Sequence, residues 1–258
     1  MIEAAFSARR AAGRAALVPY VTAGYPHLDS TVPVLEALAE AGADVLEVGV
    51  PFSDPLADGP TIQASSFASL EQGTTVDRVL EDIAAFRSRY DTAVVVFTYL
   101  NPVIRYGVDR FLSDAADAGA HGLLLTDLPT GADTTLEETV ASSPLDLIRL
   151  VAPTTPAERV PEIARHGSGF LYYISRTGVT GARTELRTEL AAEVSAIRES
   201  VSLPVAVGFG ISTPEQAAEV GAVADGVVVG SALVRALGEG GIDAASSFLS
   251  GLRAALDR

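Results

Sequence analysis

Short apolar runs alternate with longer amphipathic stretches from one end of the chain to the other. The runs at 17–22, 45–50, 93–98, 122–126, 145–151, 170–175, 204–207 and 226–229 are mostly Val, Leu, Ile and Ala, with little in/out alternation. Strands that read this way are covered on both faces, as in a parallel sheet wrapped by helices. The stretches between them carry helical spacing and predict helices over 31–41, 76–89, 108–118, 135–142, 156–165, 185–199, 213–221 and 231–237. Two further helices are expected at the ends, over 2–12 and 242–256. Boundary residues agree: Gly42 and Gly119 follow helices as C-caps, while Thr155-Pro156 and Thr213-Pro214 pair an N-cap with a first-turn proline.

Eight strand–helix repeats predict an α/β protein built as a closed (β/α)8 TIM barrel with additional N-terminal and C-terminal helices. A doubly wound open sheet is the alternative. No linker, low-complexity tract or charge block interrupts the pattern, so residues 1–258 are expected to form one domain.

Composition narrows the chemistry. The chain has no cysteine, which removes disulfides and thiolate catalysis, and a formal net charge of −15, which disfavours nucleic acid and anionic membrane surfaces. No run reaches the ~18 apolar residues of a membrane helix, and residues 1–16 do not read as a leader, so a cytoplasmic setting is expected. Every basic residue is arginine. Without lysine there is no side-chain amine for a Schiff base, and the three histidines are too scattered for a metal site. Carbon–carbon bond chemistry would have to run on acids and bases alone.

Three constellations fall where a barrel keeps its chemistry, after the C-terminal ends of strands. Glu47 sits inside the second apolar run, aimed with Val45 and Gly49 to one side. A carboxyl among valines should have its pKa raised, which suits a group that donates and then accepts a proton. The other reading is a carboxylate paired with a donor inside the core. Asp58 follows on a loop bracketed by proline and glycine, able to return over the mouth. Asp54 reads more readily as a turn or interface residue.

Late in the chain, Gly208-Phe209-Gly210 follows the seventh run, and Gly230-Ser231 follows the eighth and opens a helix. Backbone amides there, with a helix N-terminus, can bind a phosphate without lysine. The segment Tyr172 to Arg183 has the glycine, threonine and arginine content of a lid or of an ordinary connector. Tyr20, Thr22, Tyr99, Asn101 and Asp127 are further polar residues at strand ends.

The string Glu47-Val48-Gly49-Val50-Pro51-Phe52-Ser53-Asp54-Pro55-Leu56-Ala57-Asp58-Gly59-Pro60-Thr61-Ile62-Gln63 resembles the signature of tryptophan synthase alpha subunits. Pro19-Tyr20-Val21-Thr22-Ala23-Gly24, Tyr99-Leu100-Asn101-Pro102, Asp127-Leu128-Pro129, Tyr172 through Gly181, Gly208-Phe209-Gly210 and Gly230-Ser231 extend the resemblance over essentially the whole chain. It implies a lyase that splits indole-3-glycerol phosphate into indole and D-glyceraldehyde 3-phosphate in L-tryptophan biosynthesis. Carried across residue by residue, Glu47 is the general acid–base and Asp58 stabilises charge at the indole nitrogen. Tyr172 positions the substrate, and Thr180 orients Asp58. Gly181, Gly210, Gly230 and Ser231 hold the phosphate; Tyr20 and Phe209 line the indole pocket.

The resemblance also implies a beta-subunit partner in an αββα heterotetramer. Pro51, Phe52, Asp54 and Pro129 would face it, and the pyridoxal phosphate would be the partner's, with no cofactor in this chain. Two positions depart from the family pattern: Tyr25 stands where many relatives have aspartate, and Thr130-Gly131-Ala132 replace glutamates after Pro129. Competing readings are a free-standing indole-releasing lyase, another phosphate-binding barrel isomerase of amino-acid biosynthesis, or a non-catalytic activator of the partner. The isomerases lack the Glu47-to-Gln63 string, and a non-catalytic chain would be expected to lose Glu47 or Asp58.

Overall fold

The computed structural model describes residues 1–174, 183–208 and 210–258, the span 183–188 by its backbone alone. Strands β1 (Ala16–Thr22), β2 (Val45–Gly49), β3 (Ala93–Thr98), β4 (Gly122–Leu125), β5 (Asp146–Val151), β6 (Leu171–Ile174), β7 (Val205–Gly208) and β8 (Gly226–Val229) pair in sequence order, all parallel, and β8 closes on β1. This is the expected closed barrel, with each strand within a few residues of its predicted place. The open-sheet alternative fails because β1 and β8 are hydrogen-bonded neighbours, with Leu17 level with Val227.

The helices are α1 (Ile2–Ala11), α2 (Thr31–Glu40), α3 (Pro60–Glu71), α4 (Val76–Arg87), α5 (Leu100–Tyr106), α6 (Val108–Asp117), α7 (Thr134–Ala141), α8 (Val160–Arg165), α9 (Arg183–Ser200), α10 (Pro214–Gly221) and α11 (Ser231–Leu256). The last is bent at Gly241, whose φ of 70° breaks it into the two segments expected from the sequence.

Helices α3 and α5 are the elements the hydrophobic pattern does not announce. The buried face of α3 is Ile62, Ser65, Ser66 and Ser69, so it docks through hydroxyls rather than an apolar stripe. Ser65 Oγ lies 2.7 Å from Thr22 Oγ1, and Ser69 Oγ donates to the Ala23 carbonyl at 2.5 Å. In α5, Pro102 falls in the first turn, where its missing N–H costs nothing.

Strand periodicity divides the core into two layers. Outward residues such as Leu46, Val48, Val94, Val96 and Val227 pack under the helices. Inward residues such as Val18, Val45, Val95, Leu124 and Ile148 fill the lower lumen. Ile2 and Phe6 of α1 plug that end, Phe6 stacking on Phe170 with ring centroids 5.2 Å apart. At the same end Asp44 accepts from Arg9 Nε (2.6 Å), Arg253 Nη1 (3.0 Å) and the Leu17 amide (2.8 Å), tying both terminal helices to β1. The lower barrel is therefore closed, and any chemistry is left to the other end.

One buried ion pair shapes a loop at that other end. Arg149 of β5 and Glu137 of α7 are each 4% exposed and hydrogen-bonded to one another. Arg149 Nη1 also donates to the Leu128 carbonyl at 3.1 Å, and Glu137 Oε1 accepts the Gly131 amide at 2.7 Å. The pair thus clasps the loop that carries Pro129. Removing one partner leaves an uncompensated buried charge, which typically costs about 3–5 kcal/mol. Glu137→Ala is therefore expected to lower the unfolding midpoint by roughly 10 °C, while Glu137→Leu with Arg149→Met recovers most of it. Thermal melts of the three proteins decide; an unshifted Glu137→Ala midpoint would contradict the clasp.

Candidate active site

The C-terminal end of the barrel opens into a cavity of about 520 Å3. Tyr20 of β1, Glu47 of β2, Tyr172 of β6 and Gly208 at the end of β7 line it from the strands. Asp58, Gly210, Gly230 and Ser231 close it from the loops and from the start of α11. Tyr20 and Ser231, 211 positions apart in the chain, thus share one chamber, because sequential parallel strands bring all their C-terminal ends to one rim.

Glu47 lies at the centre of β2, level with Tyr20 on one side and Val95 on the other. It is 0% exposed, and neither carboxyl oxygen finds a hydrogen-bond partner among the described residues. The reading in which a neighbouring donor neutralises it inside the core therefore lacks its donor. Burial alone pushes its pKa to about 8. A carboxyl in that state is protonated at neutral pH and sits within reach of both proton donation and recapture.

Asp58 is half-buried on the loop between β2 and α3, and the loop is held from three directions. Gln63 Nε2 donates to the Asp58 carbonyl at 2.9 Å, and the Asp58 amide donates to the Pro55 carbonyl at 3.1 Å. Tyr99 Oη donates to Asp58 Oδ2 at 3.0 Å and accepts the Ala57 amide at 2.9 Å. Burial raises the Asp58 pKa, and the Tyr99 hydrogen bond pulls it back down. The two acids thereby sit in different environments, Glu47 desolvated without a partner among the described residues, Asp58 half-buried with a hydrogen bond that favours its ionised form. Tyr99 stands out in the sequence only as one of several strand-end polar residues; its bond to Asp58 spans 41 positions and is visible only in the fold.

The aromatic walls depend on missing side chains. Tyr20 lies across Gly49, and Tyr172 lies across Gly208, so a methyl at either glycine would overlap the phenol oxygen. Tyr20 meets Phe97 edge-on at 5.1 Å, with Ile62 and Val234 completing an apolar patch. Phe97 and Ile62 were not singled out in the sequence, although the period of β3 places Phe97 inward with Ala93 and Val95. Burial first, and then the negative charge of Asp58, raises the Tyr20 phenol; burial and then Glu47 raise that of Tyr172. Both phenols stay protonated and can donate.

Opposite these walls is the glycine-rich rim. Gly210 takes φ 72°, a value favouring glycine, and Gly230 precedes Ser231 at the first turn of α11. Among the described residues, no side chain caps that helix. The first N–H groups of a helix have no intrahelical partner and carry partial positive charge, so this terminus is open to an anion.

Among the other residues read from the sequence, Thr180, Gly181 and Phe209 lie outside the described residues. Pro51 is buried, and Phe52 packs on Tyr99 with centroids 5.3 Å apart. Asp54 and Pro129 are exposed. Leu56, on the same loop as Asp54, is 93% exposed, and Ile104 of α5 is 55% exposed, both apolar side chains left uncovered. None of the three histidines lines the cavity, and no cluster of His, Cys, Asp or Glu among the described residues could hold a metal ion. No described helix is long and apolar enough to cross a membrane.

Residues 6–253 match the sequence model of a family described as Tryptophan synthase alpha chain. The chain is 51% identical over 230 residues to the tryptophan synthase alpha chain of Citrifermentans bemidjiense, covering 89% of this chain and 86% of that one. It is 45% identical to the alpha chain of Synechococcus elongatus, over 98% of this chain and 96% of the other. Among solved structures, tryptophan synthase subunit alpha from Legionella pneumophila superposes with a TM-score of 0.92 at 38% identity, over 99% of this chain and 98% of that one.

Proposed function

From the premise that this chain belongs to the tryptophan synthase alpha chain family, and so serves as a lyase in tryptophan biosynthesis, we propose that its mouth cavity cleaves indole-3-glycerol phosphate. The products are indole and D-glyceraldehyde 3-phosphate. The observation that carries the proposal is Glu47, a fully buried carboxyl with no hydrogen-bond partner among the described residues and a pKa raised to about 8, in the same chamber as Asp58 and the start of α11.

The proposed steps use these groups in turn. Protonated Glu47 gives its proton to the indole ring carbon that bears the glycerol chain, and positive charge develops at the ring nitrogen. Asp58, oriented by Tyr99, accepts a hydrogen bond from the indole N–H and stabilises that charge. The ionised Glu47 then takes the proton of the adjacent side-chain hydroxyl. As that oxygen becomes a carbonyl, the carbon–carbon bond breaks and its electrons restore the neutral indole ring. Glu47 is protonated again, and no external oxidant or water is consumed.

Tyr20, Phe97 and Ile62 form the apolar face for indole, with Phe209 proposed on the same side. Tyr172 positions the glycerol chain. Gly210, Gly230 and Ser231 receive the phosphate, with Gly181 joining them, and Thr180 orients Asp58 when the substrate is covered.

The partner in this proposal is a beta subunit, engaged through Phe52, Asp54, Leu56 and Pro129, with Pro51 shaping the loop from below, in an αββα assembly within the cytoplasm. The exposed apolar Leu56 and Ile104 support a covered surface there. Pyridoxal phosphate would belong to that partner, since this chain has no lysine to anchor it. The whole chain, 1–258, acts as one barrel unit in this scheme.

An indole-release assay with indole-3-glycerol phosphate, run with and without a cognate beta subunit, tests the proposal. Indole formation that the partner stimulates is the expected result. Release unaffected by the partner would favour the free-standing lyase, and no release from either mixture would refute the reaction.

A further inference from the structure

A phosphate ester enters a chamber that already holds two carboxyl groups, in a chain of net charge −15. Backbone amides and a helix terminus supply only partial charges, equivalent to about half an elementary charge at the terminus. Among the described residues lining the cavity there is one cationic side chain, Arg235. It lies on α11 four positions after Ser231, one helical turn further along the same face. The side chain is exposed and has no hydrogen bond or ion pair among the described residues. In a chain whose arginines are largely committed to carboxylates, such as Arg9, Arg78, Arg110 and Arg253, this one is unspent at the mouth.

We propose that Arg235 is a specificity-determining residue: its guanidinium neutralises the substrate phosphate held at the N-terminus of α11 and selects phosphorylated over unphosphorylated glycerol chains. The helix terminus does not stand alone in this assignment. The unpartnered Glu47 in the same cavity independently marks the chamber as built for a ligand, and Arg235 rises over the same rim as Ser231. A planar guanidinium suits a phosphate because it offers two donors at once. The assignment rests on the phosphate placement proposed above, and it assigns Arg235 to binding only, not to the proton transfers of Glu47.

The test compares wild type with Arg235→Gln and Arg235→Lys, using inorganic phosphate as the binding probe by calorimetry and indole-3-glycerol phosphate for turnover. Arg235→Gln is expected to weaken phosphate about tenfold and raise KM by a similar factor, with kcat unchanged. Its dependence on ionic strength between 0.02 and 0.5 M should flatten, because the screened charge is gone. Arg235→Lys should recover most of the affinity and the salt dependence. Melting temperatures should match, since the side chain is exposed. Unchanged phosphate affinity and unchanged salt dependence in Arg235→Gln would overturn the assignment. A wild type that binds phosphate through Arg235 yet releases no indole would refute the lyase chemistry and leave this assignment standing.

Discussion

Glu47→Gln is expected to lower indole release by about 10³-fold or more while phosphate binding and folding survive. The amide keeps the volume and the polarity of the buried side chain but can neither donate the carboxyl proton nor recapture one. The pH profile should show the same residue. With Glu47 near pH 8, the acid form that begins the reaction is lost above that value, so kcat/KM of the wild type should fall on a limb near pH 8.

Stability gives a second readout of the same side chain. The folded value lies above the ordinary glutamate value of 4.5, so between about pH 4.5 and 8 the folded protein holds a proton that the unfolded chain has released. The contribution of this site is therefore greatest below pH 4.5, falls as pH rises through that window, and is level above 8. Glu47→Gln carries no such proton. The stability of the variant relative to wild type should grow from pH 5 to pH 8 in denaturant melts. Near-normal turnover in the variant would remove Glu47 from the chemistry, and a constant stability difference across that range would remove its raised pKa.

Asp58→Asn should cost about 10²–10³-fold in kcat, the usual scale for one electrostatic contact made in the transition state. The shape of the loop is retained, because Gln63 holds it through the Asp58 main-chain carbonyl, not the carboxylate. Tyr99→Phe separates charge from its positioning. The carboxylate stays, but it loses the hydroxyl 3.0 Å away that favours its ionised form. The expected loss is about tenfold, and the acidic limb of the pH profile should move upward, since the hydrogen bond lowers the Asp58 pKa. A purely structural tyrosine would leave that limb where it is. Rates that do not change in Asp58→Asn would show that the indole nitrogen is stabilised by something else.

Much of the architecture can be read from the sequence because a parallel barrel strand is covered on both faces and so betrays itself as an uninterrupted apolar run. Glu47 is conspicuous for the same reason: it is a lone charge in its run, and period-two geometry aims it inward with Val45 and Gly49. The glycine turns after β7 and β8 were equally legible, since close backbone approach leaves few residue choices.

Other features leave little trace. Helix α3 hid because serine hydroxyls, not apolar side chains, make its buried face. Nothing local distinguishes Arg235 from the other arginines on helices, and only the closure of β8 against β1 puts it on the rim of the same cavity as Tyr20. Gly49 reads as an ordinary strand glycine, and Gly208 only as part of the turn after β7, until Tyr20 and Tyr172 are found lying across them.

The linear chain determined the repeating strands, the inward acid and the glycine turns after the last two strands, because periodicity and backbone sterics are local properties. Tertiary structure alone decided that Glu47 has no partner among the described residues, that Tyr99 holds Asp58, and that Arg235, unpaired among those same residues, stands at the rim. Those are properties of distance across the barrel, and desolvation and hydrogen bonding depend on what arrives from other strands rather than on what precedes or follows in the chain.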